Sequence, residues 1–554
     1  MTDKDAEWLP PHTPEVASAS APVESPQVAL PQIMVGGREL REEANDCLAV
    51  LHAVNDPPRW FVQSGRMFEV ALNENGRPVG REVTENGLRG SLTRNADFRK
   101  RTAKGLVPCF PPLDISKDIL ALAPGELAFP VLDGIIGVPV IRPDGSIVDV
   151  PGYDSQSKLF YSPDPAFRLP AIAEYPSSDH LDVARCLIDE MLEGFPFADS
   201  SSKANAIAGL LTPAMRSAID GPTPVLVVSA PQAATGKTLL AELVALISTG
   251  EPAEMCSMPR DDSEMQKLLT TLVQSMTPVV VFDNVMRRLD NADFAKAVTE
   301  TLHSDREFRT HQKRVSPVRN VWIVTGNNVR VGGDMPRRCY WVVLDAKMSQ
   351  PELRSDFKIS DLRAWVRARR PELLAALLTL VRAWYAAGKP AARLRPLGSF
   401  ESWSVTIGGI LEHAGINGFL GNASELREEA DAEAGQWERF LQVLQEVFSG
   451  QPFGISDLKK KMDERVGNAL GGIEPSSQAE ELRRALPDYL AEGADRAGFF
   501  QRRAGKLFAE HCGRRFGESQ IYLDRNGISH HAQMWVTGMG SGGVRGVTGE
   551  IGNR

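Results

Sequence analysis

The chain has 554 residues, with 62 Lys and Arg against 71 Asp and Glu, so its formal net charge is −9. This acidic balance excludes a nucleic-acid coat protein that is basic over its whole surface. At roughly 150 residues per domain the length predicts about three or four domains, and a hydrophobic content of 42% suffices for buried cores.

The cysteines and the N-terminus exclude several classes of protein. The six cysteines are scattered, and no two are close enough for a Cys-x-x-Cys zinc clip or a disulfide framework. The first residues are acidic where a signal peptide has Lys or Arg, and no apolar run approaches the roughly 20 residues of a membrane span. We therefore expect a cytoplasmic protein that does not bind a membrane.

The first elements in chain order form a region without an assigned role. Residues 1–37 are rich in Pro, Ala and Ser and are predicted to be a disordered tail. Residues 38–175 contain strand-like runs at 60–62 and 67–72 and a turn at Pro143-Asp144-Gly145. This mixture predicts an N-terminal α+β accessory domain.

From residue 176 onwards, apolar β runs alternate with helical segments. The β runs are 225–228, 279–282 and 321–324. Such alternation is typical of a parallel sheet with crossover helices. We therefore predict an α/β core over residues 176–350, followed by a helical lid or linker over residues 351–436.

The last ordered segment is residues 437–537, and a Gly-rich tail, 538–554, follows it. The segment has an apolar helix pattern, a basic helix and two strands joined by Asn526-Gly527, the pair that a type I′ hairpin turn demands. Helices followed by a two-stranded wing predict a winged-helix domain, whose cations fix DNA phosphates. Its candidate DNA contacts are Arg502, Arg503 and Lys506. The alternative is a winged helix used for protein contact.

A phosphate-binding loop is predicted between Val225 and Ala241. The segment is an apolar strand, a loop of small residues and a helix closed by Gly250, which is the context that such a loop needs. Backbone N–H groups and the helix N-terminus would surround a phosphate chain, Lys237 would reach its terminal oxygens, and Thr238 would hold Mg²⁺. The residues predicted to bind ATP and Mg²⁺ are Pro231, Gln232, Ala233, Ala234, Thr235, Gly236, Lys237 and Thr238.

Two positions depart from the usual loop pattern GxxxxGK[ST]. Pro231 stands at the first Gly, and Ala234 stands where a further Gly is common.

Downstream of the loop, Asp283 follows the second β run and is predicted to hold Mg²⁺ through water. Asn284 comes next, where many such ATPases have an acid, and an amide can orient water but cannot accept its proton.

The third β run ends in Thr325-Gly326-Asn327-Asn328, and an Asn at such a strand tip can sense a γ-phosphate. Arg337 and Arg338 follow and suit an arginine finger. Such a finger neutralises charge on the transferred phosphoryl group, and when a neighbouring subunit supplies it, hydrolysis depends on ring assembly. The alternative for both arginines is a solvated turn.

The order of these motifs resembles the superfamily 3 helicases. More closely it resembles the AAA+-like ATPase half of the phage and plasmid primase-helicase family related to the poxvirus type. The resemblance covers about residues 176 to 385 and matches Thr325-Gly326-Asn327 to the Thr-Ser-Asn of that superfamily's motif C. It implies Asn327 as the sensor and Arg338 as the finger.

The same resemblance implies a basic hairpin, between Asp283 and Thr325, that points into a central pore. The candidate DNA contacts there are Arg306, Arg309, His311, Lys313 and Arg314. Relatives often add a primase-polymerase domain, whose metal site needs closely spaced carboxylates. The clearest such triplet is Asp3-Lys4-Asp5 in the predicted tail, so we expect no primase catalysis in this chain and a separate primase as a candidate partner.

Together these patterns predict an ATP-dependent DNA helicase or translocase of a phage, prophage or plasmid replication system. It would act on single-stranded or forked DNA as a homo-oligomeric ring, a hexamer by the resemblance. The alternative is a nucleotide-switched initiator, loader or regulatory ATPase that assembles on DNA without unwinding it. Pro231 and Asn284 favour that alternative.

Overall fold

A computed structural model of the chain describes residues 29–74, 78–306, 313–423, 432–467, 473–491, 494–495, 497–517, 519–529 and 532–539. The chain divides into two compact units. The smaller comprises Met1–Val62, Arg66–Glu69 and Arg81–Phe129, and the larger comprises Gln63–Gly65, Val70–Gly80 and everything from Pro130 onwards.

The expected accessory domain, 38–175, is therefore divided after Phe129. Residues such as Val140, Val148 and Tyr161 are buried in the same hydrophobic core as the large parallel sheet of the larger unit. Shared burial of apolar side chains, which contiguous sequence does not reveal, places residues 130–175 in the larger unit.

The described part of the region up to Phe129 contains two small sheets and four helices. In chain order its elements are β1 (Gln32–Met34), α1 (Leu40–Ala53), β2 (Trp60–Gln63), β3 (Arg66–Leu72), β4 (Pro78–Glu82), α2 (Glu85–Asn95), β5 (Asp97–Thr102), β6 (Gly105–Pro108), α3 (Leu113–Ala121) and α4 (Pro124–Leu127). One sheet has the order β1-β5-β6 and the other β2-β3-β4. The strands predicted at 60–62 and 67–72 are confirmed.

Five short strands and two helices open the larger unit after Phe129. They are β7 (Gly134–Ile136), β8 (Val140–Ile141), β9 (Ile147–Val148), β10 (Gly152–Asp154), β11 (Leu159–Tyr161), α5 (Ser178–Leu192) and α6 (Ser200–Met215). β8 and β9 pair antiparallel across the turn predicted at Pro143-Asp144-Gly145, where Gly145 has φ 89°. A positive φ is why the turn needs glycine there.

The centre of the larger unit is a five-stranded sheet with the order β13-β14-β17-β12-β18. Every neighbouring pair in it is parallel. The elements are β12 (Val225–Ala230), α7 (Lys237–Thr249), β13 (Glu254–Cys256), α8 (Asp262–Gln274), β14 (Val279–Phe282), α9 (Ala292–Thr299), β15 (Leu302–Arg306), β16 (Lys313–Pro317), β17 (Val321–Asn327), a 3₁₀ helix (Met335–Arg338) and β18 (Cys339–Val343). The predicted parallel α/β arrangement is confirmed.

The apolar runs explain why these strands lie at the centre. All six residues of β12, all four of β14 and the first six of β17 are buried. Strands covered on both faces by helices need continuous Val, Ile and Leu rather than alternation. Gly250 ends α7 with φ 83°, the left-handed conformation that favours glycine at a helix C-terminus.

Two helices after the sheet pack on the same core. A second 3₁₀ helix (Pro351–Leu353) precedes α10 (Leu362–Ala386) and α11 (Glu401–His413). The Asp361 side chain caps α10 by accepting a hydrogen bond from the backbone N–H of Ala364 at 2.9 Å. Among the helices that the structure describes, none combines the length and the apolarity needed to cross a membrane.

The C-terminal segment has a hydrophobic core of its own. Its elements are α12 (Ala432–Phe448), β19 (Phe453–Gly454), α13 (Ile455–Met462), β20 (Arg465–Gly467), β21 (Ile473–Pro475), α14 (Ser477–Ala485), α15 (Asp488–Ala491), α16 (Ala497–His511), β22 (Arg515–Phe516), β23 (Ile521–Ser529) and β24 (Ala532–Met539). One sheet has the order β19-β24-β23-β22. Helices followed by a long hairpin agree with the predicted order of elements.

The predicted turn at Asn526-Gly527 is wrong. β23 continues through both residues to Ser529, which pairs with Ala532. Pairing shifts between Arg525 and Ile528, so Asn526 and Gly527 form a β-bulge, and Gly527 has φ 70°. A bulge and a tight turn both need a left-handed residue, so Asn-Gly alone does not distinguish them.

Gly326 in β17 allows the close approach between this strand and the segment after β14. A Cβ atom on Gly326 would lie 2.5 Å from the Val285 carbonyl oxygen and 2.8 Å from a Val329 methyl group. We predict that Gly326→Ala lowers the thermal unfolding midpoint by roughly 3 to 10 °C, because overpacking of this kind costs about 1–3 kcal/mol. Differential scanning fluorimetry measures this thermal midpoint.

The matched control is Gly398→Ala, because an added Cβ at Gly398 meets nothing within 4 Å. An equal effect of the two substitutions would show that the contact with Val285 does not limit packing.

Candidate functional site

The predicted site residues gather at one edge of the parallel sheet. Residues 231–236 join the end of β12 to the start of α7, Asp283 follows β14, and Asn327 ends β17. β12 lies beside β17, with Ala230 opposite Asn327 in the register. Ligands of open α/β sheets bind outside the carboxyl ends of the strands, which is where these three segments lie.

The loop of residues 231–236 has an unusual backbone. Gly236 has φ 95° and Ala234 has φ 59°, so both are left-handed. A Cβ on Gly236 would also lie 3.2 Å from the Phe195 ring. No backbone N–H of residues 232–236 donates a hydrogen bond to another described residue. Several N–H groups at the N-terminus of a 13-residue helix are thus available to an anion.

Lys237 lies folded over this loop. Its Nζ donates to the Gln232 carbonyl oxygen at 2.8 Å and to Thr235 Oγ1 at 3.3 Å. Burial lowers the pKa of Lys237, and the charge of Asp283 partly offsets that effect. An anion on the loop would raise this pKa again, because it would stabilise the charged ammonium.

Asp283 is held by hydroxyl groups from two other elements. Thr238 Oγ1 on α7 donates to Asp283 Oδ1 at 2.8 Å, and Thr325 Oγ1 on β17 donates to the same oxygen at 2.6 Å. Thr325 Oγ1 also accepts from the backbone N–H of Asn284 at 3.0 Å. Sequence reasoning assigned no role to the hydroxyl of Thr325, whose only signal is a polar residue after four apolar ones in β17.

Asn284 and Asn328, next to the site, both have a left-handed backbone conformation, which favours asparagine. Asn284 has φ 53° and Asn328 has φ 44°, a region in which Asn is enriched several-fold over most other residues. Asn284 and Asn327 are both exposed. Neither side chain makes a hydrogen bond with a described residue, so both amides are available to a ligand or to water.

The oxygens of Thr238 and Asp283 fit a magnesium ion. Mg²⁺ prefers oxygen ligands, keeps several waters and is commonly bound by one or two carboxylates together with substrate phosphates. A hydroxyl and a carboxylate 2.8 Å apart beside an anion-binding loop supply that donor set. Within the described ranges no group of three or more His, Cys, Asp or Glu forms a metal cage by itself.

A cavity of about 860 Å³ borders the loop and was not anticipated from the sequence. Its lining includes Ala234 to Gly236, charged side chains such as Glu190, Arg354 and Arg367, and apolar side chains. The apolar residues are Met191, Phe195, Leu239, Phe357, Ile359 and Leu362. These come from segments that are distant in the sequence, and no local pattern indicates that they meet.

Arg338, the predicted finger, is mostly buried and is bonded to residues of its own chain. Its side chain is 11% exposed, and its guanidinium donates to the Ala295 carbonyl oxygen and to Thr299 Oγ1 at the end of α9. Arg337 is 60% exposed, and among the described residues its ion-pair partner is Asp334, at 3.3 Å. Burial raises the pKa of Asp334, but the charges of Arg337 and Arg338 outweigh it, so the net direction is downward.

The predicted pore hairpin has the expected backbone. β15 and β16 pair antiparallel, from Leu302 opposite Pro317 to Arg306 opposite Lys313. Of the candidate DNA contacts, Arg306, Lys313 and Arg314 lie on these strands. Arg309 and His311 fall in the connecting residues, outside the described part of the chain.

On α16 the three candidate DNA contacts differ. Arg502 and Lys506 are exposed, and Lys506 pairs with Glu510 at 3.7 Å. Arg503 is half-buried, with its guanidinium 5.6 Å from the centre of the Phe499 ring. Arg502 and Lys506 are therefore open to phosphates, whereas Arg503 also has a packing role.

Comparison with known proteins adds little. No protein-family model matches the chain, and no curated protein matches it. Among solved structures, the apo C-terminal region of NrS-1 is similar over 85% of this chain and 96% of its own, with 10% identity and a TM-score of 0.36. SCCmec type IV Cch, described as an active helicase, is similar over 85% and 90%, with 11% identity and a TM-score of 0.33.

A third structure, JCV Helicase, is similar over 46% of this chain and 74% of its own, with 15% identity and a TM-score of 0.20. Two of the three names contain the word helicase. All three TM-scores are low, however, so the likeness by itself decides neither the fold nor the activity of this chain.

The two adjacent arginines should differ in their effect on stability. We predict that Arg338→Ala lowers the thermal unfolding midpoint by roughly 5 to 10 °C, because it removes charge-assisted hydrogen bonds worth about 2–3 kcal/mol at the end of α9. Arg337→Ala, the matched control, should change it by no more than about 2 °C. Equal shifts would contradict a structural role for Arg338.

Proposed function

We propose that the protein is an ATP hydrolase that acts on DNA as a helicase or translocase. The observation that carries the proposal is the bonding of Thr238 to Asp283 next to Lys237. This contact places a hydroxyl and a carboxylate near an ammonium group. All three lie beside a loop whose backbone N–H groups have no partner among the described residues. That combination suits a nucleoside triphosphate with its metal ion.

In the proposed complex, each group of the site has a separate task. The loop N–H groups and Lys237 neutralise the phosphates, and Thr238 and Asp283 hold Mg²⁺, which supplies positive charge to the transferred phosphoryl group. The apolar side chains among the residues that line the 860 Å³ cavity, such as Phe195 and Leu239, receive the nucleotide base.

Asn284 and Asn327 act on the side of the γ-phosphate. Asn327 senses that phosphate from the end of β17. Asn284 orients the attacking water with its amide and does not accept a proton from it. Phosphoryl transfer relies chiefly on positioning and on electrostatic stabilisation, so an amide at this place is compatible with turnover.

For assembly, we propose a homo-oligomeric ring, a hexamer, in which Arg337 rather than Arg338 reaches the neighbouring site. The exposed guanidinium of Arg337 supports this change of residue.

For DNA, we propose that the β15–β16 hairpin moves the DNA strand in the pore. Arg502 and Lys506 of a winged-helix domain hold DNA phosphates. The motif order supports a cytoplasmic phage, prophage or plasmid replication role, with a separate primase as a candidate partner.

A second candidate function is a nucleotide-switched initiator, loader or regulatory ATPase that does not unwind DNA. Pro231 favours it, because proline brings no N–H group to the loop. Asn284 favours it too, because it cannot serve as the general base. Binding without turnover would then switch the assembly on DNA.

The two functions differ in DNA-stimulated turnover and strand separation. We predict that single-stranded DNA stimulates ATP hydrolysis and that Lys237→Ala reduces the rate at least about a hundredfold, because one lost electrostatic contact of this kind is worth roughly that much. The same variant should not separate a forked duplex. Lys267→Ala, which removes an exposed lysine paired with Glu264 at 2.7 Å, is the control.

Nucleotide binding without stimulated turnover or unwinding in the unmodified protein would select the switched assembly instead. Failure to bind ATP at all would refute both functions.

Sharing of the site between subunits predicts complementation. Mixing Arg337→Ala chains with Lys237→Ala chains should restore part of the hydrolysis, because some interfaces then combine an intact loop with an intact finger. The rescue is measured as the rate of ATP hydrolysis at a series of mixing ratios of the two variants. The absence of rescue at every ratio would mean that each chain completes its own site.

A further inference from the structure

One face of a sheet in the smaller unit carries exposed side chains. In the sheet β1-β5-β6, Ile33 and Phe98 are buried in the core with α1, α2 and α3. Successive residues of a strand point to opposite faces, and residues opposite each other on paired strands share a face. Arg101 pairs with Leu106, so both lie on the face opposite Phe98. Both are exposed, Leu106 by 51%.

The same face carries Arg99 and an aromatic ring. Arg99 pairs with Pro108 across the hairpin. The ladder continues beyond β6, because the Cys109 N–H donates to the Phe98 carbonyl oxygen at 3.0 Å, which brings the next residue, Phe110, back to this face. Phe110 is 77% exposed. We call Arg99, Arg101, Leu106 and Phe110 the open sheet face.

The charge around the open sheet face contrasts with that of the whole chain. Residues 94–104 contain five Lys and Arg and one Asp, in a chain of net charge −9. Lys100, Arg101 and Lys104 are exposed and form no ion pair with any described residue. The nearest partner of Arg99 is Asp97, at 3.9 Å. Three of these cations, Lys100, Arg101 and Lys104, are thus not neutralised by a described residue, which favours an anionic ligand.

We propose that the open sheet face, with Lys104 in the turn at its border, binds single-stranded nucleic acid. The cations contact phosphates, and an unpaired base stacks on Phe110. Basic surfaces that carry exposed aromatic rings bind single strands in this way, because every base has a face that can stack. A duplex buries those faces, and an acidic protein surface would not use the ring. The site is separate from the nucleotide site and does not depend on it.

The test measures binding of the full-length protein, without nucleotide, to fluorescent oligothymidine at several salt concentrations. The variant Arg101→Ala/Lys104→Ala should bind more weakly, and its slope of log affinity against log salt should be less steep by about 1.4, since each lost phosphate contact contributes about 0.7. Phe110→Ala should lower the affinity roughly five- to a hundredfold, the range for one stacked base.

Matched controls come from the same unit. Lys117→Ala removes an exposed cation of α3 that pairs with Asp114 at 3.4 Å, and Leu40→Ala truncates an exposed apolar residue. Both should bind as the unmodified protein does. Unchanged thermal midpoints verify folding, which is expected because all substituted side chains are exposed.

A second measurement locates the strand. Oligothymidine carrying 4-thiothymidine should cross-link to the peptide that contains Phe110, and duplex of equal length should cross-link there much less. Unchanged affinity and salt slope in the variants, or cross-links confined to other segments, would overturn the proposal. The proposal would also be overturned if duplex binding depended equally on the open sheet face. It would be overturned as well if the variants lost binding to a protein partner such as a primase but still bound oligothymidine.

Discussion

The candidate site depends on one carboxylate. Asp283 accepts hydrogen bonds from Thr238 on α7 and from Thr325 on β17, so a single oxygen links a helix and two neighbouring strands. A partly buried carboxylate is costly unless it is paired or hydrogen-bonded, and these two hydroxyls meet that need. The parallel pairing of β14 with β17, and of β17 with β12, brings the three segments together.

Glycine at two positions allows that arrangement. Gly326 lets β17 approach the backbone after β14, and Gly236 lets the loop turn beneath the Phe195 ring. Ala234 adopts a left-handed conformation without being glycine, at a strain of roughly 1–2 kcal/mol. The loop thus contains two left-handed residues, of which Gly236 adopts that conformation without strain.

The neighbouring Arg337 and Arg338 show how burial separates chemically identical residues. Arg338 binds the carbonyl end of α9, where a cation is favoured by the helix dipole, and Arg337 remains exposed. Charge is also distributed unevenly along the whole chain. The net charge is negative, yet cations concentrate on short hairpins and on α16, which are the segments proposed to contact phosphates.

The sequence by itself determined the parallel sheet, the loop before Lys237 and the order of the site residues. These follow from local information, since continuous apolar runs, a strand–loop–helix and glycine at a helix end are all contiguous patterns. Only the tertiary structure decided the role of Thr325, the cavity beside the loop, the bulge at Asn526-Gly527, the boundary after Phe129 and the difference between Arg337 and Arg338. Each of these depends on which distant segments meet and on how deeply they are buried, and neither quantity is encoded in the spacing of neighbouring residues.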